Sequence, residues 1–250
     1  MAGEYYRWLA RDVKPPEKRE LTPAEKRRNW WAYHKWHLAA GLVCLVMLVS
    51  LISDMVRNSN RKPDYVIAYV GTTILPEDTR HALETAFARL GEDLNGNGKV
   101  QVEVREYLLY EESEDIVNPA LQEEAAERGY NASMLLQLNV ETAESMIFLL
   151  ENPTAFQANY GILTRVDGTR PDETPDSPVP LWYTWTDCPV LTGLELGTFE
   201  IPMVGTTAIG DSQLAMANIC IARRGLWDDG SNDRIEGALR LWDALTEGAR

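Results

Sequence analysis

The chain has 250 residues, of which 45% are hydrophobic, and its 38 acidic and 24 basic residues give a formal net charge of −14 at pH 7. This charge argues against a nucleic-acid partner, because the phosphate backbone would be repelled. The three cysteines show no CxxC or Cys/His spacing of the zinc type, which argues against a structural zinc site.

The first 56 residues divide into a basic tail and an apolar segment. Residues 1–37 carry nine Lys or Arg against five acids, a net charge of +4, and residues 38–53 contain no charge. A helix of roughly 17–25 apolar residues crosses the hydrocarbon core of a bilayer. We therefore predict one transmembrane helix at 38–56, with the lipid bilayer as its partner. A cleaved signal peptide is disfavoured by the long leader; a buried core helix is the other alternative.

The direction of the predicted anchor follows from its flanks. The positive-inside rule places the basic tail in the cytoplasm and the C-terminal part outside the cell membrane. Aromatic side chains, which settle at the headgroup level, crowd the predicted inner edge: Trp30, Trp31, Tyr33 and Trp36.

The part beyond the anchor is predicted to be a polar linker, 57–63, and one extracytoplasmic α/β domain, 64–250. Residues 57–250 carry 15 Lys or Arg and 32 Asp or Glu, a net charge of −17. Such a surface fits cationic ligands or metal ions. The alternative is that it serves only to keep the domain soluble.

The first half of this domain alternates between strand and helix patterns. Strands are predicted at 64–71, 99–107 and 145–150, and a helix at about 76–92. Asn118-Pro119 starts another helix, which Gly129 interrupts before a second helical stretch at about 132–141. The order β-α-β-α-β favours a parallel or mixed sheet with flanking helices.

The second half is less regular. Residues 165–180 contain four prolines and four acids, which predicts an exposed loop. A strand is predicted at 217–223, a loop at 224–232 and a closing helix at about 233–247.

The order of these elements resembles a known family. The strand Tyr65–Gly71, the Pro-led helix, the alternating strand and the segment 144–150 resemble the first lobe of type 2 periplasmic (extracellular solute-) binding proteins. Trp36-His37 and the turn at 93–100 also resemble uncharacterised anchored proteins of clostridia-like Gram-positive bacteria. The resemblance implies a ligand-binding α/β lobe with the second lobe reduced or absent.

The sharpest local motif is Asp93-x-Asn95-x-Asn97-Gly98-Lys99, which matches the first half of a calcium loop. Such a loop needs a carboxylate at position 12, where this chain has Val104. The alternative is a Gly/Asn turn between a helix and a strand. Calcium is therefore a candidate cofactor, and its candidate ligands are Asp93, Asn95, Asn97 and Lys99. No other cofactor is predicted.

An aromatic cluster and two cysteines are the other candidates outside the anchor. Trp182, Tyr183 and Trp185 either stack on a sugar or a cation, or bury a strand against the core. Cys188 and Cys220 either form a disulfide in an oxidising compartment or remain two buried thiols.

Catalysis has little support, because His81 is the single histidine beyond the anchor and a nucleophile–histidine pair would depend on it. We therefore predict a non-catalytic, anchored domain that binds a small ligand or an envelope protein. The alternatives are a structural or interaction module that links partners across the membrane and, third, an anchored hydrolase.

Overall fold

The computed structural model describes residues 20–59, 62–110, 119–203, 206–226 and 233–250. The chain divides into two compact units, with the boundary between Asn58 and Ser59.

The first unit contains the helix α1, Pro23–Ser59. Thr22 and Glu25 form a reciprocal cap, in which Thr22 N–H donates to Glu25 Oε2 at 2.9 Å and Glu25 N–H donates to Thr22 Oγ1 at 3.4 Å. The helix is about 55 Å long at 1.5 Å per residue. It is long and apolar enough to cross a membrane, and none of its most apolar stretch is buried. The predicted segment 38–56 lies within it.

The second unit opens with three strands that alternate with helices. In chain order these are β1 (Tyr65–Gly71), α2 (Glu77–Leu90), β2 (Val102–Leu108), α3 (Pro119–Thr142), β3 (Ile147–Leu150) and α4 (Pro153–Tyr160).

The remainder of the unit contains shorter elements. They are β4 (Trp182–Thr184), a 3₁₀ helix (Trp185–Asp187), α5 (Pro189–Thr192), β5 (Thr198–Met203), β6 (Thr206–Asp211), α6 (Ser212–Met216), β7 (Cys220–Arg223) and α7 (Asp233–Leu245).

Five strands form one mixed sheet in the order β2-β1-β3-β7-β4. β1 is parallel to β2 and to β3, whereas β7 is antiparallel to β3 and β4. Every residue of β1 is buried, as expected for a central strand that is covered on both faces. The predicted α/β class with a mixed sheet is confirmed. β5 and β6 form a separate antiparallel hairpin.

Helices cover both faces of the sheet. Ile67 and Tyr69 of β1 point to one face, where they pack in a cluster with Phe87 of α2 and Trp242 of α7. On the other face the neighbouring β1 residues pack with Leu136 of α3 and Phe156 of α4. The alternation of side chains along β1 therefore serves two separate cores, which together hold the sheet between two helical layers.

Some predicted elements differ from the structure. The hairpin β5–β6 and the helix α4 were not predicted. The predicted strand 217–223 begins only at Cys220, because the residues before it close a turn after α6. The loop predicted at 224–232 lies partly outside the described residues, and the region 165–180 has no helix or strand, as predicted.

The predicted interruption at Gly129 is wrong, because α3 is one continuous helix through this residue. A Cβ at Gly129 would lie 2.3 Å from Tyr110 Cβ and 2.7 Å from Tyr110 N. The glycine therefore allows the helix to approach the chain that follows β2, and it does not end the helix.

This contact reverses the usual effect of removing a helical glycine. Gly→Ala inside a helix normally stabilises by about 1 kcal/mol. We expect Gly129→Ala to lower the free energy of unfolding by about 1–3 kcal/mol, because the added methyl group meets backbone atoms of Tyr110. Urea denaturation followed by circular dichroism measures the change, and a stabilised variant would contradict the contact.

Candidate functional site

The sheet has a topological switch point between β1 and β3. From β1 the chain passes through α2 to β2 on one side, and it returns through α3 to β3 on the other side of β1. The loops after β1 and β3 therefore diverge, and open α/β sheets bind ligands in the crevice at such a place, outside the carboxyl ends of the strands.

The two strand ends are joined by Glu151, the first residue after β3. Gly71 ends β1 and lets this side chain approach, because a Cβ at Gly71 would lie 2.5 Å from Glu151 Cδ. Glu151 is partly buried there. The absence of a side chain at Gly71 thus brings a carboxylate onto the backbone of the β1–α2 loop.

Glu151 accepts hydrogen bonds on both carboxylate oxygens. Oε2 accepts from Thr72 N–H at 2.6 Å and from Thr72 Oγ1 at 3.0 Å. Oε1 accepts from Thr73 N–H at 3.3 Å and lies 2.8 Å from Tyr69 Oη, whose single proton is shared with the Thr73 carbonyl oxygen at 3.0 Å. Glu151 therefore fixes the loop that forms one wall of the crevice.

These contacts set the protonation states of Glu151 and Tyr69. Burial alone would raise the pKa of Glu151, but the hydrogen bonds from Thr72, Tyr69 and Thr73 lower it on balance. Burial and the neighbouring Glu151 carboxylate raise the pKa of Tyr69. At neutral pH the site therefore contains one carboxylate anion and a neutral phenol.

The crevice is a cavity of about 260 Å³ between the two loops and α4. Asn152 caps α4 by accepting a hydrogen bond from Ala155 N–H at 3.0 Å. Within the described residues, the side chains of Asn159 and Tyr160 make no hydrogen bond, and burial raises the pKa of Tyr160. The lining combines these polar groups with apolar walls: Val70, Gly71, Thr72, Leu109, Glu151, Asn152, Ala155, Phe156, Asn159 and Tyr160.

A second hollow, of about 290 Å³, lies at the amino ends of β1 and β3. Its charged side chains already have partners. Asp64 accepts from the backbone N–H groups of Leu94, Asn95 and Gln101, Glu144 pairs with Arg105 at 2.6 Å, and Arg234 donates to the Pro63 carbonyl oxygen at 3.3 Å. The crevice at the carboxyl ends is therefore the better candidate site.

The predicted aromatic cluster does not form one surface. Trp182 packs with the core on the α3/α4 side, whereas Tyr183 and Trp185 pack with the core on the α2/α7 side. Trp185 is fully buried and donates from Nε1 to Gln213 Oε1 at 2.8 Å. These positions favour the second interpretation, in which the aromatic residues bury a strand against the core.

The predicted calcium loop adopts a tight turn. Asp93 accepts hydrogen bonds from the N–H groups of Gly96, Asn97 and Gly98. The side-chain oxygens of Asn95 and Asn97 likewise accept from backbone N–H groups, that of Asn97 from Lys99. Glu103, the acid nearest to position 12, pairs with Arg105 at 2.9 Å. The calcium site stays a prediction, which calorimetric titration with calcium tests.

Cys188, Cys220 and His81 are not among the residues that line the crevice. Cys188 and Cys220 are two buried free thiols, which is the second of the predicted alternatives. Burial raises the pKa of the Cys188 thiol to about 11 and also raises that of Cys220. His81 is exposed on α2 and contacts Glu77 and Glu84.

The residues of the crevice were not found from the sequence. A signal was present in Leu150-Glu151-Asn152-Pro153, where a buried strand is followed by an acid and then by the cap and first-turn proline of a helix. Gly71-Thr72-Thr73 after a buried strand is the matching signal at the other wall.

No known protein family, curated protein or solved structure matches the chain.

Proposed function

We propose that the chain is a membrane-anchored, extracytoplasmic binding protein that takes a small polar ligand in the crevice at the carboxyl ends of β1 and β3. The observation that carries the proposal is the cavity at the switch point, whose wall Glu151 fixes and whose rim offers Asn159 and Tyr160. The resemblance to one lobe of solute-binding proteins agrees with this function. The crevice lies at the end of one sheet, so ligand binding there requires no second lobe.

The anchor is α1. Its apolar side chains are exposed along the whole stretch from Leu38 to Ile52, and a hydrocarbon environment would bury them. Nine Lys or Arg lie in the tail before this stretch, against Arg57, Arg61 and Lys62 shortly after it, and this excess favours a cytoplasmic N-terminus.

The chemistry of the lining limits the ligand. Glu151 is the charged residue of the lining, and its pKa is lowered, so an anionic ligand would be repelled. The rings of Phe156 and Tyr160 lie 4.9 Å apart and offer an apolar face beside the amide groups. We therefore propose an uncharged or cationic small molecule, such as a polyol, a saccharide or an amine.

Catalysis is not part of the proposal. A carboxylate has about four lone-pair sites, and Glu151 meets four donors on its two oxygens. The carboxylate is therefore occupied in holding the loop and has no site left to accept a proton from a substrate.

A thermal-shift screen of the full-length chain in nonionic detergent tests the proposal, with sugars, polyols and polyamines as probes. A ligand present at 100 times its Kd stabilises by about 2.7 kcal/mol, so a hit should raise the unfolding temperature measurably. We expect Asn159→Ala and Tyr160→Phe to weaken such a hit. No shift from any probe, or a shift that both variants retain, would contradict the proposed site.

A matched control is available in Asn218→Ala. Asn218 is an exposed asparagine in the turn before β7, outside the crevice lining. We expect this variant to bind every hit as the unaltered chain does.

One observation favours the interaction module as the second candidate. α3 exposes four apolar side chains within one arc of its surface, each of them more than half exposed: Tyr130, Met134, Leu135 and Leu138. Exposed apolar patches of this kind mark contact surfaces. Cross-linking from this arc in cells tests the candidate, and recovery of no specific partner would count against it.

A further inference from the structure

The turn between α2 and β2 contains two asparagines that are each followed by glycine, Asn95-Gly96 and Asn97-Gly98, and no other Asn-Gly pair occurs in the chain. Asparagine is a thermolabile residue. Its side chain is most open to attack when glycine follows, because glycine has no Cβ to shield its backbone nitrogen. The turn is therefore a candidate for spontaneous deamidation.

Deamidation at an Asn-Gly pair proceeds through a cyclic imide. The glycine nitrogen loses its proton and attacks the side-chain amide carbon of the asparagine, so that a C–N bond forms and the side-chain nitrogen leaves as ammonia. Water then opens the ring at either carbonyl and gives aspartate or isoaspartate. The reaction consumes only water, but it requires a glycine N–H that is free to release its proton and to turn towards the asparagine side chain.

Both glycine N–H groups of this turn are held by Asp93. Gly96 N–H donates to Asp93 Oδ1 at 2.8 Å, and Gly98 N–H donates to Asp93 Oδ2 at 2.6 Å. Hydrogen bonds to an ionised acceptor are short and strong. Loss of either proton would also place a negative nitrogen against the carboxylate. One side chain therefore opposes the first step of the reaction at both pairs.

The asparagine side chains are turned towards other groups of the backbone. Asn95 Oδ1 accepts from Asn97 N–H at 3.0 Å, and Asn95 Nδ2 donates to the Lys62 carbonyl oxygen at 3.2 Å. Asn97 Oδ1 accepts from Lys99 N–H at 2.8 Å. Ring closure would have to break these contacts, so each amide carbon is held in place as well as the nitrogen that would attack it.

We propose that Asn95-Gly96 and Asn97-Gly98 form a double deamidation site, and that Asp93 controls its rate by holding both glycine N–H groups. In the folded turn the two asparagines persist. Once the contacts of Asp93 are lost, each asparagine is converted to aspartate or isoaspartate at the rate of an unfolded chain. Asp93 is thus a positioning residue for the two glycines.

Modification would affect the start of β1. The buried carboxylate of Asp64, next to the first residue of β1, accepts from Leu94 N–H and Asn95 N–H, both at 3.0 Å. Deamidation of Asn95 replaces the Nδ2 donor by a carboxylate oxygen that faces the Lys62 carbonyl oxygen, and isoaspartate adds a methylene group to the main chain. Both changes loosen the turn from the strand that it supports.

The test follows deamidation of the full-length chain in nonionic detergent at mildly alkaline pH, with EDTA present to keep divalent cations off Asp93. The tryptic peptide 90–99 contains both asparagines, and mass spectrometry with fragmentation measures the conversion at each. We expect Asp93→Ala to deamidate about tenfold or more faster than the unaltered chain at both asparagines, the factor for loss of a hydrogen bond to a charged group. Equal rates in the two proteins would overturn the proposal.

A second variant tests the assignment of one carboxylate oxygen to each glycine. Asp93→Asn keeps a single acceptor oxygen and replaces the other by an NH₂ group, which faces a glycine N–H as a second donor. We expect at least one of the two asparagines to deamidate fast in this variant. Slow conversion at both would overturn the proposal, and this variant decides alone if circular dichroism shows that Asp93→Ala does not fold.

Two controls separate the contacts of Asp93 from its charge. Glu92→Ala removes the same charge from the adjacent residue, whose carboxylate pairs with Arg240 at 3.0 Å, and it should deamidate as slowly as the unaltered chain. Equal acceleration by Glu92→Ala and Asp93→Ala would contradict the role of the hydrogen bonds. In guanidinium chloride the unaltered chain and Asp93→Ala should deamidate equally fast, and a difference that survives unfolding would also overturn the proposal.

Discussion

Replacing Trp185 by alanine is expected to lower the free energy of unfolding by about 4 kcal/mol, within the range for a fully buried aromatic side chain. Trp185 has no exposed surface and lies in the core on the α2/α7 side. The change removes this packing and also leaves Gln213 Oε1 without the indole N–H donor at 2.8 Å. Denaturation in urea, followed by far-ultraviolet circular dichroism, measures the loss.

The effect extends beyond one side chain because Gln213 joins three segments. Its amide donates to the carbonyl oxygens of Leu191 and Leu194 at 2.9 and 2.7 Å, so Trp185 and Gln213 hold α5 and α6 to the end of β4. Trp185→Phe keeps much of the volume and loses the hydrogen bond, which should cost about 1–2 kcal/mol.

Trp182→Ala is the matched control for the aromatic cluster. Trp182 is only partly buried, against the other face of the sheet, and its loss should cost clearly less than that of Trp185. A loss below about 1 kcal/mol for Trp185→Ala would contradict its role in the core and would restore the alternative that it stacks on a ligand.

The sequence predicted the elements whose residues form a clear local pattern. β1 and β3 are short apolar runs, β2 alternates and α2 has helical spacing, and each was found within a few residues of its predicted bounds. The hairpin β5–β6 was missed because Pro202 and Gly210 interrupt its strand pattern. The role of Gly129 was predicted wrongly because this glycine makes room for Tyr110, which is distant in the chain. No local sequence pattern shows such a contact.

The candidate site could not be predicted for a related reason. Thr72 and Glu151 lie 79 residues apart in the chain, and they meet only because β1 and β3 are adjacent parallel strands. Residue types at a strand end were visible in the sequence, but the order of the strands was not.

Glu151→Gln should lower the free energy of unfolding by about 2 kcal/mol at pH 7, because hydrogen bonds to a charged group contribute roughly 1.5–3 kcal/mol. The glutamine keeps one acceptor oxygen, but its NH₂ group would face donors from Thr72 or from Thr73 and Tyr69. Partial exposure of Glu151 screens its charge and keeps the expected effect at this level.

The pH dependence gives the sharper test of the carboxylate. The folded-state pKa of Glu151 is lowered from 4.5, so the unfolded chain binds its proton first as the pH falls. The stabilisation by Glu151 is therefore fully present above about pH 4.5 and is lost as the pH falls through the lower, folded-state pKa. The difference between the unaltered chain and Glu151→Gln should accordingly shrink below pH 4.5.

Glu195→Gln controls for the change in charge, since Glu195 is exposed and makes no hydrogen bond within the described residues. Its stability should follow that of the unaltered chain at each pH. If the loss in Glu151→Gln were the same at pH 7 and pH 3, the carboxylate would not be the group that fixes the β1–α2 loop. Ligand binding should also fall in Glu151→Gln, because Thr72 belongs to the wall of the crevice that the carboxylate holds in place.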